Sequence, residues 1–255
     1  MFSLNEQKAI ELGESGEKAV REQNEYDALQ YIEYLREFGE ELIEANLETD
    51  LKRAIISLRN IGNKAVQKRN DTIAANSLQV IKSLAEPALE KNFPNAMWSF
   101  SKAVQELGKG AVQFKMLEPA KDAVGALETI GSGAVAKRME VVTLWTTMAL
   151  EEMSYLADRQ QLEELSNMAK TARERIIKVS EEGEFVTREQ IEKYPQLIAQ
   201  TVGEFAELQN LQPAGYAGRP NEEFTEDEFF EEEAEEEESE GEERKPEAGA
   251  SGKEK

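Results

Sequence analysis

Apolar and polar positions along this chain repeat every 23 residues. Small residues stand at Gly16, Gly39, Gly62, Ala85, Gly108, Gly131 and Ser154 without a slip in register. Four residues before each come Leu12, Leu35, Leu58, Ile81, Val104, Leu127 and Leu150. Directly before six of them come Phe38, Ile61, Leu84, Leu107, Ile130 and Met153, and three residues after the seven come Ala19, Leu42, Ala65, Ala88, Ala111, Ala134 and Ala157. These offsets share one side of an α-helix, so each unit reads as one helix with a broad apolar stripe. The stretches 61–69 and 130–138, three periods apart, match best.

The spacing predicts helices over 3–23, 27–46, 50–69, 73–92, 96–115, 119–138 and 142–160. Loops are then expected at Asn70-Asp71-Thr72, Phe93-Pro94-Asn95 and Met116-Leu117-Glu118. Pro119 is placed at a first helical position, where its missing N–H costs nothing, and Pro87 should bend its helix. Lys68, Arg69, Lys137 and Arg138 sit where cations suit the negative end of a helix dipole. After Ser154 the pattern decays, because the next equivalent residue is Ile177 and Arg173 stands four before it. Leu162 to Val179 still reads as helix, and Thr187 with Gln190 forms a capping-box signature for a last one. Residues 161–212 are therefore expected to cap a seven-helix array over 1–160, with Glu163, Glu164, Arg173, Glu174 and Arg175 on a polar outer face.

A glycine inside a helix costs about 1 kcal/mol relative to alanine, so five glycines at one repeat position need an offsetting gain. Close helix crossing supplies one, since a missing side chain admits the neighbouring helix and dispersion contacts replace the lost propensity. A phosphate-cradling role would instead need glycines at a helix N-terminus.

Composition changes the picture at the C-terminal end. The chain has 255 residues with 52 acidic and 30 basic side chains, a formal charge of -22. From Pro213 to Lys255 there are 17 acidic residues and 5 basic ones, so over half of the excess lies in 213–255. With Pro and Gly at both of its ends, this segment reads as a disordered acidic tail. Phe224, Phe229 and Phe230 stand there among eight carboxylates, as anchors for a partner or as incidental residues of a solvating tail. The N-terminal region lacks the apolar run of a secretory signal, and no stretch approaches the ~20 apolar residues of a membrane span, so a cytoplasmic protein is expected.

Two successive units make a 46-residue antiparallel hairpin, within the HEAT and armadillo range of about 40–47 residues. The units Leu35 to Val66 and Val104 to Val135 resemble a HEAT-like α-helical repeat most closely, and the resemblance spans about residues 4–160. It implies an all-α, right-handed type of α-solenoid and the scaffold or adaptor role common to such proteins. HEAT repeats distinguish outer from inner helices, whereas these helices share one pattern, which leaves the superhelix geometry open.

The absence of cysteine and histidine removes disulfides, thiolate chemistry, the usual zinc sites and any imidazole base. Adjacent carboxylates such as Glu40 and Glu41, Glu151 and Glu152, or Glu163 and Glu164 diverge on a helix, and nothing selects Ser57, Ser101 or Ser132 as a nucleophile. No enzyme, cofactor or metal is expected. The leading reading is a protein-binding scaffold, with Tyr31 and Tyr34 and the tail phenylalanines as candidate contacts. The alternative makes the polyanion primary, as a chaperone for basic proteins or a nucleic-acid mimic. Direct binding to nucleic acid or an anionic membrane is opposed by charge. Oligomeric state is left open.

Overall fold

The computed structural model describes residues 3–194, all of which belong to one compact unit spanning 1–198. Eight helices follow one another among the described residues: α1 (Leu4–Arg21), α2 (Glu25–Glu44), α3 (Glu48–Gln67), α4 (Asp71–Glu90), α5 (Pro94–Gln113), α6 (Leu117–Ala136), α7 (Glu140–Arg159) and α8 (Glu163–Glu182). A further helical stretch covers 188–194, and no strand occurs among the described residues. The acidic segment and the boundary set by composition at Gln212 lie outside them.

From α2 onward every helix has 20 residues, and from α3 onward each starts 23 after the last. The three-residue links share one conformation. The middle residue of each of the seven has positive φ, namely Gln23, Asn46, Arg69, Asn92, Lys115, Arg138 and Gln161, and so does Glu184, the second residue after α8, with φ from 47° to 61°. At the end of α3, the Arg69 N–H donates to the Val66 carbonyl (3.0 Å) and the Asn70 N–H to the Ala65 carbonyl (2.8 Å). This paired closure satisfies carbonyls that the helix itself leaves open, and it recurs at every link. The third residue then starts the next helix. Asn24 and Asn70 cap with their side chains, whereas Phe93, Met116 and Met139 turn apolar side chains into the core.

Helices α2 to α6 consequently begin and end two residues earlier than the apolar spacing predicts, while α1 begins one residue later and α7 ends one earlier. The loops fall at 68–70, 91–93 and 114–116, which corrects the expected 70–72, 93–95 and 116–118. Pro94, expected in a loop, is the first residue of α5, and Pro119 is the third residue of α6 rather than the first. Both prolines are tolerated there because the first four N–H groups of a helix have no intrahelical acceptor.

The helices form two layers. The odd-numbered helices pack on one another in order, the even-numbered helices do the same, and each helix also packs on its chain neighbours. One continuous core runs between the layers from Ala9 to Ile176. The chain is thus an all-α solenoid whose unit is one helix and whose structural period is two. Its geometry continues past residue 160, since α8 keeps the spacing although its apolar pattern weakens. Ile177, which replaces the small residue there, is fully buried in a terminal cluster with Leu144, Val186, Ile191 and Tyr194.

Candidate functional site: the two faces of the array

The seven small residues are all buried, each on the core side of its helix. The glycines among them serve as seats for a side chain of the helix two further on. A Cβ built on Gly62 would meet Leu107 Cδ2 at 2.7 Å, and one on Gly131 would meet Ile176 Cδ1 at 2.5 Å. At Gly39 the neighbour is Leu84, also at 2.7 Å, while Gly108 faces Met153 at 2.8 Å and Gly16 faces Ile61. In every pair the guest is the residue directly before the next seat in the same layer. The other layer closes in as well, with Ala123 Cβ 2.8 Å from the position at Gly108 and Ser77 Cβ 3.0 Å from that at Gly62. Glycine permits an approach at these points that a methyl group would obstruct. For Ser154 the corresponding guest position lies outside the described residues.

Tyr31 and Tyr34, on α2, form an edge-to-face pair with ring centroids 6.1 Å apart. Tyr31 is half-buried and backs onto Gly16, while Tyr34 remains 42% exposed. Phe224, Phe229 and Phe230 lie outside the described residues. The structure therefore brings the two tyrosines together at the start of the array.

The carboxylate pairs and serines do not assemble a reaction centre. Ser57 donates to the Ala9 carbonyl (2.7 Å) and Ser101 to the Met97 carbonyl (2.9 Å). Glu151 and Glu152 diverge, the first to Arg173 (3.3 Å) and the second to Lys109 (2.5 Å). Among the described residues, no three acidic side chains converge as a metal would require. The basic residues at the links act across repeats: Arg69 lies over the Phe114 ring (5.5 Å) and Arg138 over Phe185 (5.7 Å), and Arg138 also donates to the Gly183 carbonyl.

What differs between the layers is the surface turned away from the core. Six residues before each seat, the odd helices carry Ile10, Ile56, Lys102 and Met148, all half-buried. The even helices carry Glu33, Gln79, Gly125 and Thr171 at the same repeat position. Beside the odd row stand Lys52 and Arg53 on α3, Trp98 on α5 and Trp145 on α7. The two indoles meet edge to face at 5.6 Å, and the Lys102 ammonium lies 5.4 Å from the Trp98 ring centre. Farther along the odd helices, Arg59 pairs with Glu106 (3.3 Å) and Lys109 with Glu152, so those charges are locally balanced. The even face has its own ties, Lys121 to Glu164 (3.0 Å) and Arg175 to Glu128 (2.9 Å). Glu164 holds the Lys121 ammonium above the ordinary lysine value. The sequence pattern held this odd-even alternation, but a 23-residue frame hides it; only a 46-residue frame exposes it.

No family model matches the chain, and no curated protein matches it. Solved structures do. The chain is similar to one titled "DHF46 filament", with a TM-score of 0.55 and 14% identity over 69% of this chain and 98% of that one. It is a helical repeat protein in fold. Similarity extends to "Circular tandem repeat protein with novel repeat topology and enhanced subunit contact surfaces", with a TM-score of 0.49 and 15% identity over 78% of this chain and 50% of that one. A third is "Crystal structure of de novo designed helical repeat protein DHR64", with a TM-score of 0.48 and 16% identity over 74% and 96%. At such identities the likeness concerns the fold alone. No helix among the described residues is long and apolar enough to cross a membrane.

Proposed function

We propose that this chain is a non-catalytic, HEAT- or armadillo-like scaffold that binds a partner protein along its helical array. The observation that carries the reading is the registered outer surface. Each helix of a layer offers the same repeat position to solvent, so side chains on four helices line up as one extended row. Repeat arrays of this kind bind through such extended surfaces because neighbouring units hold the row rigid. A reducing, cytoplasmic setting accords with a chain that has no cysteine.

A second reading rests on a specific feature of the sequence, the 17 acidic residues in 213–255. A polyanion of that density attracts basic proteins, and its attraction falls steeply with salt. Affinity capture from the native cell separates the two, using the full chain beside one truncated at Gln212. A partner retained by both supports the array, and one lost on truncation and at high salt supports the polyanion. If neither captures a partner above a control, the scaffold reading falls.

A further inference from the structure

The scaffold reading leaves the binding face and the partner's chemistry unassigned. From the contrast between the layers, we infer that the odd-helix face around Ile56, Trp98, Lys102, Trp145 and Met148 binds an acidic partner segment carrying aromatic or aliphatic anchors. The inference rests on the scaffold reading and narrows it to one face and one class of partner.

Burial supports it first. At the repeat position where the even layer carries Glu33, Gln79 and Thr171, all exposed, the odd layer carries Ile10, Ile56 and Met148, half-buried. The row continues through the half-buried Trp98 and Trp145, and Val141 on α7 is 55% exposed. Aromatic and aliphatic side chains left partly open in a registered row are the material from which interface anchoring sites are made.

Charge supplies the occupant. The whole chain carries -22, yet this row is flanked by Lys52, Arg53 and Lys102. Lys52 stands one turn before Ile56 on α3, and Lys102 one turn after Trp98 on α5, so apolar and cationic groups alternate across adjacent helices. The balanced pairs Arg59–Glu106 and Lys109–Glu152 border the row on its other side. A partner segment that sets carboxylates between apolar anchors matches this alternation, with the anchors on the row and the carboxylates on Lys52 and Lys102. A nucleic acid matches it poorly, because the chain's overall charge repels phosphates.

The test uses the full chain and its own fluorescence, because Trp98 and Trp145 are its two tryptophans and both lie on the proposed face. The probe is a soluble peptide with three phenylalanines spaced among glutamates, beside a control in which serines replace them. A saturable change in tryptophan emission with the first peptide, weakened at least tenfold with the control, is expected. The double variant Lys52→Glu and Lys102→Glu should weaken probe binding at least tenfold while its helical circular dichroism and melting temperature stay those of the parent. Gln79→Glu, at the equivalent place on the other layer, should leave binding unchanged. Equal binding by the double variant, equal binding of the serine peptide, or tighter binding of a single-stranded oligonucleotide would each overturn the inference. If affinity capture finds a partner on the array while the probe gives no saturable signal, this face assignment falls and the scaffold reading stands.

Discussion

Gly62 and Leu107 lie 45 residues apart, and a Cβ on the glycine would stand 2.7 Å from Cδ2 of the leucine. Leu107 is fully buried, so its side chain has little room to retreat. Replacing Gly62 or Gly131 with Leu should destabilise the chain by about 1 to 3 kcal/mol through overpacking. Urea denaturation followed by circular dichroism measures it, and a gain in stability from both substitutions would refute the seat-and-guest account.

Two other glycines separate helix propensity from packing. Gly125 on α6 has open space around its Cβ position, so Gly125→Ala should stabilise by about 1 kcal/mol through propensity alone. Gly108 faces Ala123 Cβ at 2.8 Å, an atom fixed to the α6 backbone that cannot rotate aside. Gly108→Ala should therefore destabilise despite the same propensity gain, and thermal melts of the two variants should shift in opposite directions.

The links carry a cost of their own. Lys115 and Gln161 adopt φ of 56° and 61°, a region that a side chain disfavours by about 1 kcal/mol or more. Changing either to Gly should raise stability by up to about 1 kcal/mol, net of the freedom glycine adds to the unfolded chain. Asn92→Gly should gain less, because asparagine already tolerates this conformation. Melting temperatures of the three variants rank the effect.

These links also explain which parts of the fold were legible in sequence. The repeat was legible because seat and guest are both core positions, where residue type is constrained by packing. Helix ends were not, because none of the eight left-handed positions holds glycine, the residue that usually marks one. Lys68 and Arg69 look like a last helical turn, yet they are the cap and the left-handed residue that follows it. The continuation into α8 was obscured by Ile177, a large side chain buried where a seat was expected. Of the candidate contacts, the tyrosines could be named from composition, but the odd face needed knowledge of which helices share a layer.

Glu48 tests whether capping crosses between repeats. Phe93 gives α5 no side-chain cap, and the Glu48 carboxylate on α3 accepts from the Asn95 and Ala96 N–H groups at 2.7 and 3.0 Å instead. Glu48→Ala should cost about 0.5 to 2 kcal/mol, the range for an ordinary cap. Hydrogen exchange should show the loss first at the start of α5.

The far end of the array should be sensitive to acid. Arg188 donates two hydrogen bonds to Glu174, at 2.8 and 3.1 Å, and holds that carboxyl below the ordinary glutamate value. A lowered folded value means the tie is at full strength above the unfolded value of about 4.3 and fades as pH falls through the lowered one. Protection factors for residues 185–194 should drop between about pH 6 and pH 3. In Arg188→Gln they should be low at both, and unchanged pH dependence in that variant would exclude this pair as the cause.

A unit that is half of the structural period gives the chain a parity. Seat and guest follow one rule in both layers, so excising a single 23-residue unit would leave every downstream glycine with a large side chain to receive. The interior would register no error. On the outside, each helix beyond the cut would exchange layers, setting Gln79 and Gly125 in line with Ile10 and moving Lys102 and Met148 to the opposite side. Loss of 46 residues would preserve both arrangements. An odd change in helix number would thus rearrange the surface while sparing the seats and guests, and only an even change keeps both.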